Sequence, residues 1–333
     1  MILISFGTRP EYIKVKPLID LFNKNSVDYK VVFTGQHPDL LKNLKEDPIR
    51  LNIENSNNRL DSIVKTVLKH SESLFKDIDF VIVQGDTTSS FAIALAAFHR
   101  KIKIAHIEAG LRTYNNEHPY PEEYNRRAIS LMADYHFCPT SHSVENLKRD
   151  QVNGKIYEVG NTVLDNLSGI TTQYKNKIII TMHRRENHSK MEEWFEQFNK
   201  LAKLYPNLEF IFPIHPNPNV IKHKKLLQGI KVIDPMQYND FINLLSECKL
   251  IITDSGGIQE EASFLKKKTI VCRKETERRE GLVDFSLLCA EPSYLIEIFT
   301  KMIYDYKPRG ECPYGSGNAS NKIYEILLKQ KIL

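Results

Sequence analysis

Residues 2–22 read ILISFGTRPEYIKVKPLIDLF, and the change of rhythm inside them decides the fold. Ile2–Phe6 is a nearly unbroken apolar run, as a strand covered on both faces requires. Gly7 permits a tight turn, and from Pro10 to Asn25 the apolar positions take helical spacing. Six further apolar runs end the same way, in polar or ionisable residues. They are Val31–Thr34 before Gly35-Gln36-His37, Phe80–Gln84 before Gly85-Asp86-Thr87-Thr88, and Ile102–Ile107 before Glu108-Ala109-Gly110-Leu111-Arg112. In the second half, Ile178–Met182 precedes His183-Arg184-Arg185-Glu186, Phe210–Ile214 precedes His215-Pro216-Asn217-Pro218, and Leu250–Thr253 precedes Asp254-Ser255-Gly256-Gly257. Ligands of open parallel sheets bind outside the carboxyl ends of the strands. Chemistry concentrated at those ends is what an active site would look like.

Between these runs lie helical patterns, among them Leu60–Phe75, Ser89–Arg100, Glu122–Ala133 and Ser143–Asp150, then Met191–Tyr205, Tyr238–Glu247 and Ile258–Leu265. Further strands are expected near 135–138, 156–160, 230–234 and 269–273. The alternation predicts an α/β protein with two doubly wound parallel sheets facing a cleft. Gly160–Asn176 is polar and without strong period, and reads as a linker. Expected domains are 1–165 and 170–315, with an amphipathic helix at about 320–333 packing back on the first.

The 333 residues suffice for two domains, and 41% hydrophobic with 26% charged content is ordinary for a globular protein. The net charge of +5 is a mild excess, carried by lysines scattered among acids, such as Lys42, Lys65, Lys200 and Lys266–Lys268. With no basic stripe and no recognition module, a solvated surface is expected rather than nucleic-acid binding. The five cysteines lie far apart without C-x-x-C spacing, as buried reduced thiols of a cytosolic protein would. No leader precedes the first strand, and no apolar run approaches the roughly 18 residues of a membrane span. A cytoplasmic location without a membrane partner is expected.

Thr8 and Glu11 have capping-box spacing, so much of that motif serves helix initiation. Arg9 and Lys14 exceed this need, and a helix start with added cations is an anion site. Ser255, Gly256 and Gly257 join a strand to a helix, either as a plain loop or as a diphosphate cradle. Glu261 follows, as a partner for ribose hydroxyls or for the helix dipole. Asp86 and Glu108 follow strands. Glu122-Glu123 with Arg126-Arg127 fits helical charge pairing, yet grouped carboxylates also serve as acid and base. His183 and His215 stand at strand ends. No metal-ligand spacing, Walker loop or G-x-G-x-x-G is present, so neither a metal nor a cofactor is expected.

Taken in order, the motifs resemble the non-hydrolysing UDP-N-acetylglucosamine 2-epimerase family. They are GTRPEYIK at Gly7–Lys14, TGQH at Thr34–His37, QGDTT at Gln84–Thr88, HIEAGLRT at His106–Thr113 and PEEYNR at Pro121–Arg126. HRRE follows at His183–Glu186, then HPNP at His215–Pro218, DSGGIQEE at Asp254–Glu261, TER at Thr276–Arg278 and PYGSGNAS at Pro313–Ser320. The resemblance runs from residue 2 to about residue 328. It implies two Rossmann-like domains of GT-B type, a homodimer, and interconversion of UDP-GlcNAc and UDP-ManNAc without a redox cofactor. The implied route removes the C2 proton, expels UDP to leave a 2-acetamidoglucal, and adds UDP back. Asp86, Glu108 and Glu122 are then the acid/base candidates, and His183 stabilises charge near the leaving group. Arg9, Lys14 and Arg126 hold the sugar and diphosphate side. Ser255, Gly256 and Gly257 bind the diphosphate, Glu261 the ribose, and His215 is a further substrate contact. Gln36, His37 and Arg184 match positions of a second, activating UDP-sugar site.

Three departures bear on substrate identity and regulation, one of them in the residues just after Glu280, which also depart from the usual pattern. Arg279 stands where the family usually has proline, and the stretch Lys42–Asp61 is shorter than usual. Weak or absent activation by UDP-GlcNAc is therefore expected. A hydrolysing epimerase releasing ManNAc, a GT-B glycosyltransferase and a non-catalytic nucleotide-sugar sensor are the rival readings. The sensor has no use for the three acids.

Overall fold

The computed structural model describes residues 1–36, 47–54 and 56–333. The chain forms two compact units, Met1–Asn166 with Tyr314–Leu333, and Leu167–Pro313. The first contains β1 (Ile2–Phe6), α1 (Arg9–Lys24), β2 (Tyr29–Phe33), β3 (Ile49–Arg50), α2 (Arg59–Leu74), β4 (Phe80–Gln84) and α3 (Thr88–Phe98). It continues with β5 (Lys103–Ile107), α4 (Glu122–Met132), β6 (Tyr135–Cys138), α5 (Ser141–Arg149) and β7 (Lys155–Glu158). The second contains β8 (Lys177–Thr181), α6 (Met191–Leu204), β9 (Glu209–Pro213), α7 (Pro218–Ile221), β10 (Lys231–Ile233) and α8 (Tyr238–Glu247). After these come β11 (Leu250–Thr253), α9 (Gly256–Phe264), β12 (Lys268–Val271), β13 (Ser286–Leu288) and α10 (Leu295–Tyr304); α11 (Ala319–Lys329) returns to the first unit.

All five residues of β1 are buried, because side chains alternate between two covered faces. Ile2, Ile4 and Phe6 pack with Val15, Leu18, Ile19 and Phe22 of α1 and with Ile323 and Leu327 of α11. Leu3 points the other way, into a core with Val81, Val83, Val67 of α2 and the alanines of α3. In the second unit, Ile178, Phe210, Leu250 and Ile252 pack against Trp194, Phe195 and Phe198 of α6 and Phe299 of α10.

Every strand pairing is parallel. Among the described residues the first sheet runs β3-β2-β1-β4-β5-β6-β7 and the second β10-β9-β8-β11-β12-β13. Each is doubly wound, and the order reverses between β1 and β4 in one and between β8 and β11 in the other. A ligand crevice opens beyond the strand ends at such a reversal.

Two strands exceed the sequence expectation, β3 and β13. The former has two residues, both exposed, and so leaves no apolar run to read. Within the stretch expected as a linker, Thr162–Leu167 forms a 3-10 turn whose Val163, Leu164 and Leu167 are buried. Its Asp165 carboxylate accepts from the N–H groups of Ala319, at 2.9 Å, and Ser320, at 2.7 Å, capping α11. Among the described residues no helix is long and apolar enough to cross a membrane.

Candidate active site

At the β1/β4 reversal, Thr8 caps α1, its Oγ1 accepting from Glu11 N at 3.4 Å. The return arm of the capping box lands one residue early, on Gly7 N, which donates to Glu11 Oε2 at 3.0 Å. The other Glu11 oxygen accepts from Thr87 Oγ1 at 2.6 Å and lies 2.7 Å from Ser90 Oγ. One buried glutamate thus ties the turn after β1 to the turn after β4. Burial raises its pKa, against the pull of these hydrogen bonds. Gly7 is required by close approach: a Cβ there would lie 2.3 Å from Ser89 Oγ and 2.4 Å from Thr34 Oγ1.

Glu108 follows β5 in the left-handed region, φ 65°, which is costly for a residue with a side chain. It is 8% exposed. Lys14 Nζ donates to its two oxygens at 2.6 and 2.7 Å, Gln84 Nε2 to Oε2 at 2.6 Å, and Asn161 Nδ2 to Oε1 at 3.1 Å. A Cβ at Gly85 would stand 3.5 Å from Oε2. One residue further on, Asp86 is ion-paired with Arg126. Glu122 opens α4 one turn before Arg126. Glu123 is fully buried and accepts from Thr113 N at 3.0 Å, Tyr114 N at 2.9 Å and Arg126 Nη1 at 3.3 Å. It holds the arginine that holds Asp86. Arg9 heads α1, half-buried, on the same rim. Gln36 accepts from the Ser89 hydroxyl at 2.7 Å, and His37 lies outside the described residues.

At the β8/β11 reversal the organiser is Asp254, which is fully buried. It accepts from His183 N at 3.0 Å, Arg184 N at 2.9 Å and Asn187 Nδ2 at 3.0 Å, and lies 3.4 Å from His183 Nδ1. The His183 ring stacks on His215, centroids 4.9 Å apart. Burial pushes His183 down to about 4; Asp254 opposes this, while Arg184, His215 and His188 add to it. The imidazole is neutral near neutral pH and, at 29% exposure, open to a ligand.

The start of α9 differs from that of α1. Ser255 is its N-cap but makes no side-chain cap bond, so the first-turn N–H groups remain available to an anion. A Cβ at Gly256 would lie 2.4 Å from Arg278 Nη1 and 2.8 Å from its Cζ. Only glycine lets that guanidinium rest against the helix start. Arg278 is fixed there by Glu260, Nε to Oε1 at 2.6 Å, and by Glu277, which Arg273 Nη1 grips at 3.0 Å. Glu261, buried, accepts from Tyr238 Oη at 2.9 Å; burial first and Glu261 second raise the pKa of that phenol.

Sequence reasoning assigned no role to Gln84, Asn161, Asp254 or Arg278. Gln84 had a legible signal, a polar residue closing an otherwise apolar strand. Asn161 follows β7 in irregular chain and had none.

The family model for UDP-N-acetylglucosamine 2-epimerase matches residues 20–328. The UDP-N-acetylglucosamine 2-epimerase of Neisseria meningitidis serogroup A is 40% identical over 371 residues, covering 99% of this chain and 100% of that protein. The crystal structure of the N. meningitidis UDP-GlcNAc 2-epimerase bound to UDP-GlcNAc matches with a TM-score of 0.90 at 39% identity, covering 98% of this chain and 99% of that one. The Methanocaldococcus jannaschii enzyme in complex with UDP-GlcNAc and UDP matches with a TM-score of 0.85 at 31% identity, covering 98% and 99%. Both share the GT-B-like pair of parallel sheets.

Proposed function

The chain belongs to the UDP-N-acetylglucosamine 2-epimerase family, and from that premise we propose that it interconverts UDP-GlcNAc and UDP-ManNAc without releasing free sugar. It is an enzyme of the isomerase class. The observation that carries the finer reading is a rim bearing two carboxylates, each beside its own cation: Glu108 with Lys14, and Asp86 with Arg126.

Epimerisation at C2 by elimination needs a base on one face of the sugar and an acid on the other. One of Asp86, Glu108 and Glu122 takes the C2 proton. The C–H electron pair becomes the C1=C2 bond, and the C1–O pair leaves with UDP. A second carboxylic acid then returns a proton to C2 from the opposite face while a diphosphate oxygen re-forms the bond to C1. The departing diphosphate is anionic, which the α9 start, left uncapped by the Ser255 side chain, and the clamped Arg278 suit. Neutral His183 can donate a hydrogen bond without adding charge. Glu261, oriented by Tyr238, suits a pair of ribose hydroxyls.

The test is incubation with UDP-GlcNAc in D₂O. UDP-ManNAc carrying deuterium at C2 is expected. Free ManNAc with UDP would mean the hydrolysing reaction, and retention of the original hydrogen would mean hydride transfer. A homodimer accompanies this reading, and light scattering measures it.

A further inference from the structure

Gln84 closes buried strand β4 with a side chain that the chemistry above leaves unused. It is 1% exposed, and its amide meets Glu108 Oε2 at 2.6 Å. Asn161 meets the other oxygen from a different part of the chain. Its own position is fixed by N–H donation to Tyr314 O at 2.7 Å and by Oδ1 accepting from Val163 N at 3.1 Å. The two amides approach a residue whose backbone, at φ 65°, would relax if released.

We propose that Gln84, together with Asn161, is a positioning residue for Glu108, aiming the carboxylate and holding it ionised for proton transfer. This rests on the epimerase reading. The choice of amides has a physical reason. A further cation would hold the carboxylate equally well but make it a poorer base, whereas a neutral donor fixes geometry at less cost to basicity. The charged and titratable groups facing Glu108 fit this division. Lys14 of α1 supplies the positive charge. His106, on β5 itself, is held neutral by burial with Nε2 2.8 Å from Gly85 O. Asp86, beyond Gly85, is taken up by Arg126.

The experiment compares wild type with Gln84→Met, Gln84→Glu and Asn161→Asp. It reads the pH dependence of kcat/KM, and separately the carbon-13 titration of the Glu108 carboxyl, assigned by its disappearance in Glu108→Gln. For Gln84→Met, the acidic limb and the carboxyl titration should both move up by about one pH unit, the worth of one charge-assisted hydrogen bond. kcat should fall about tenfold, less than the roughly 10²–10⁴ that the acid–base group itself is worth, because Lys14 and Asn161 still hold the carboxylate, with KM little changed. Gln84→Glu and Asn161→Asp should move the titration further, since two carboxylates then share a proton. A limb and a titration that stay at the wild-type pH in every folded variant overturn the proposal, whatever happens to kcat. If wild type fails to epimerise, the functional reading falls, and the carbon-13 titration still decides the role of Gln84. If Gln84→Met does not fold, Asn161→Asp carries the same decision from the other oxygen.

Discussion

Replacing His106 by glutamine should remove much of the acid sensitivity of the first unit. His106 is fully buried on β5, and its pKa is pushed down to about 3 by burial first. The Gly85 carbonyl opposes this, His136 and Arg112 add to it, and Glu108 opposes it weakly. An unfolded chain returns the group to its ordinary 6.5. Because the folded value is the lower one, the unfolded state binds the extra proton between these limits. The stabilising contribution is complete above pH 6.5 and is lost as pH falls toward about 3. At about 1.4 kcal/mol per pH unit, the whole interval is worth about 5 kcal/mol, of which about 2 is lost between about pH 7 and pH 5. Glutamine can keep a donor near the Gly85 carbonyl and cannot be protonated. The single tryptophan, Trp194, lies in the second unit and reports the wrong core. Hydrogen exchange of peptides from β4 and β5 is the suitable assay, with opening free energies compared at the two pH values. Wild type should lose about 2 kcal/mol more than His106→Gln on acidification. Equal losses would refute the assignment of acid sensitivity to this imidazole.

Other outcomes follow from the same geometry. Glu108→Gln or Asp86→Asn should cut turnover by about two to four powers of ten with UDP affinity little changed, measured by steady-state kinetics and calorimetry. Gly256→Ala should weaken UDP binding, because its methyl would come 2.4 Å from an Arg278 nitrogen that Glu260 and Glu277 hold in place. UDP-ManNAc alone should be converted without added UDP-GlcNAc. A reaction that starts only after a trace of UDP-GlcNAc would show that a second, activating site is intact.

The strands of the sequence reading that carry chemistry are the ones the sheets place at their centres, and the reason is solvent. β1, β4, β8 and β11 are covered on both faces, so they are apolar along most of their length and stand out. Edge strands such as β3 bear no such constraint. Of the candidate site, the sequence marks the residues whose type itself carries chemistry, such as Glu108 or the two glycines before Ile258. Gln84 and Asn161 act only through their neighbour, and an isolated amide has no period and no motif. Glu123 read as helical charge pairing; its two oxygens are taken by the N–H groups of Thr113 and Tyr114, in the loop just before α4, which spacing along a helix cannot foretell.

The return of α11 to the first unit sets an order of events during synthesis. Residues 167–313 leave the ribosome as one uninterrupted block and can complete their own core as they emerge. The first unit cannot. Its opening strand waits for Ile323 and Leu327, almost the whole chain away, and the Asp165 carboxylate waits for the amides of Ala319 and Ser320, nearly half the chain away. Each of those two aliphatic side chains is worth about 1.5–3 kcal/mol when buried. Helix α11, made after the whole second unit, is therefore a completion signal: a chain broken off before residue 319 carries Asp86, Glu108 and Glu122 on a half-closed scaffold, exposed to proteases and unable to keep those acids in register.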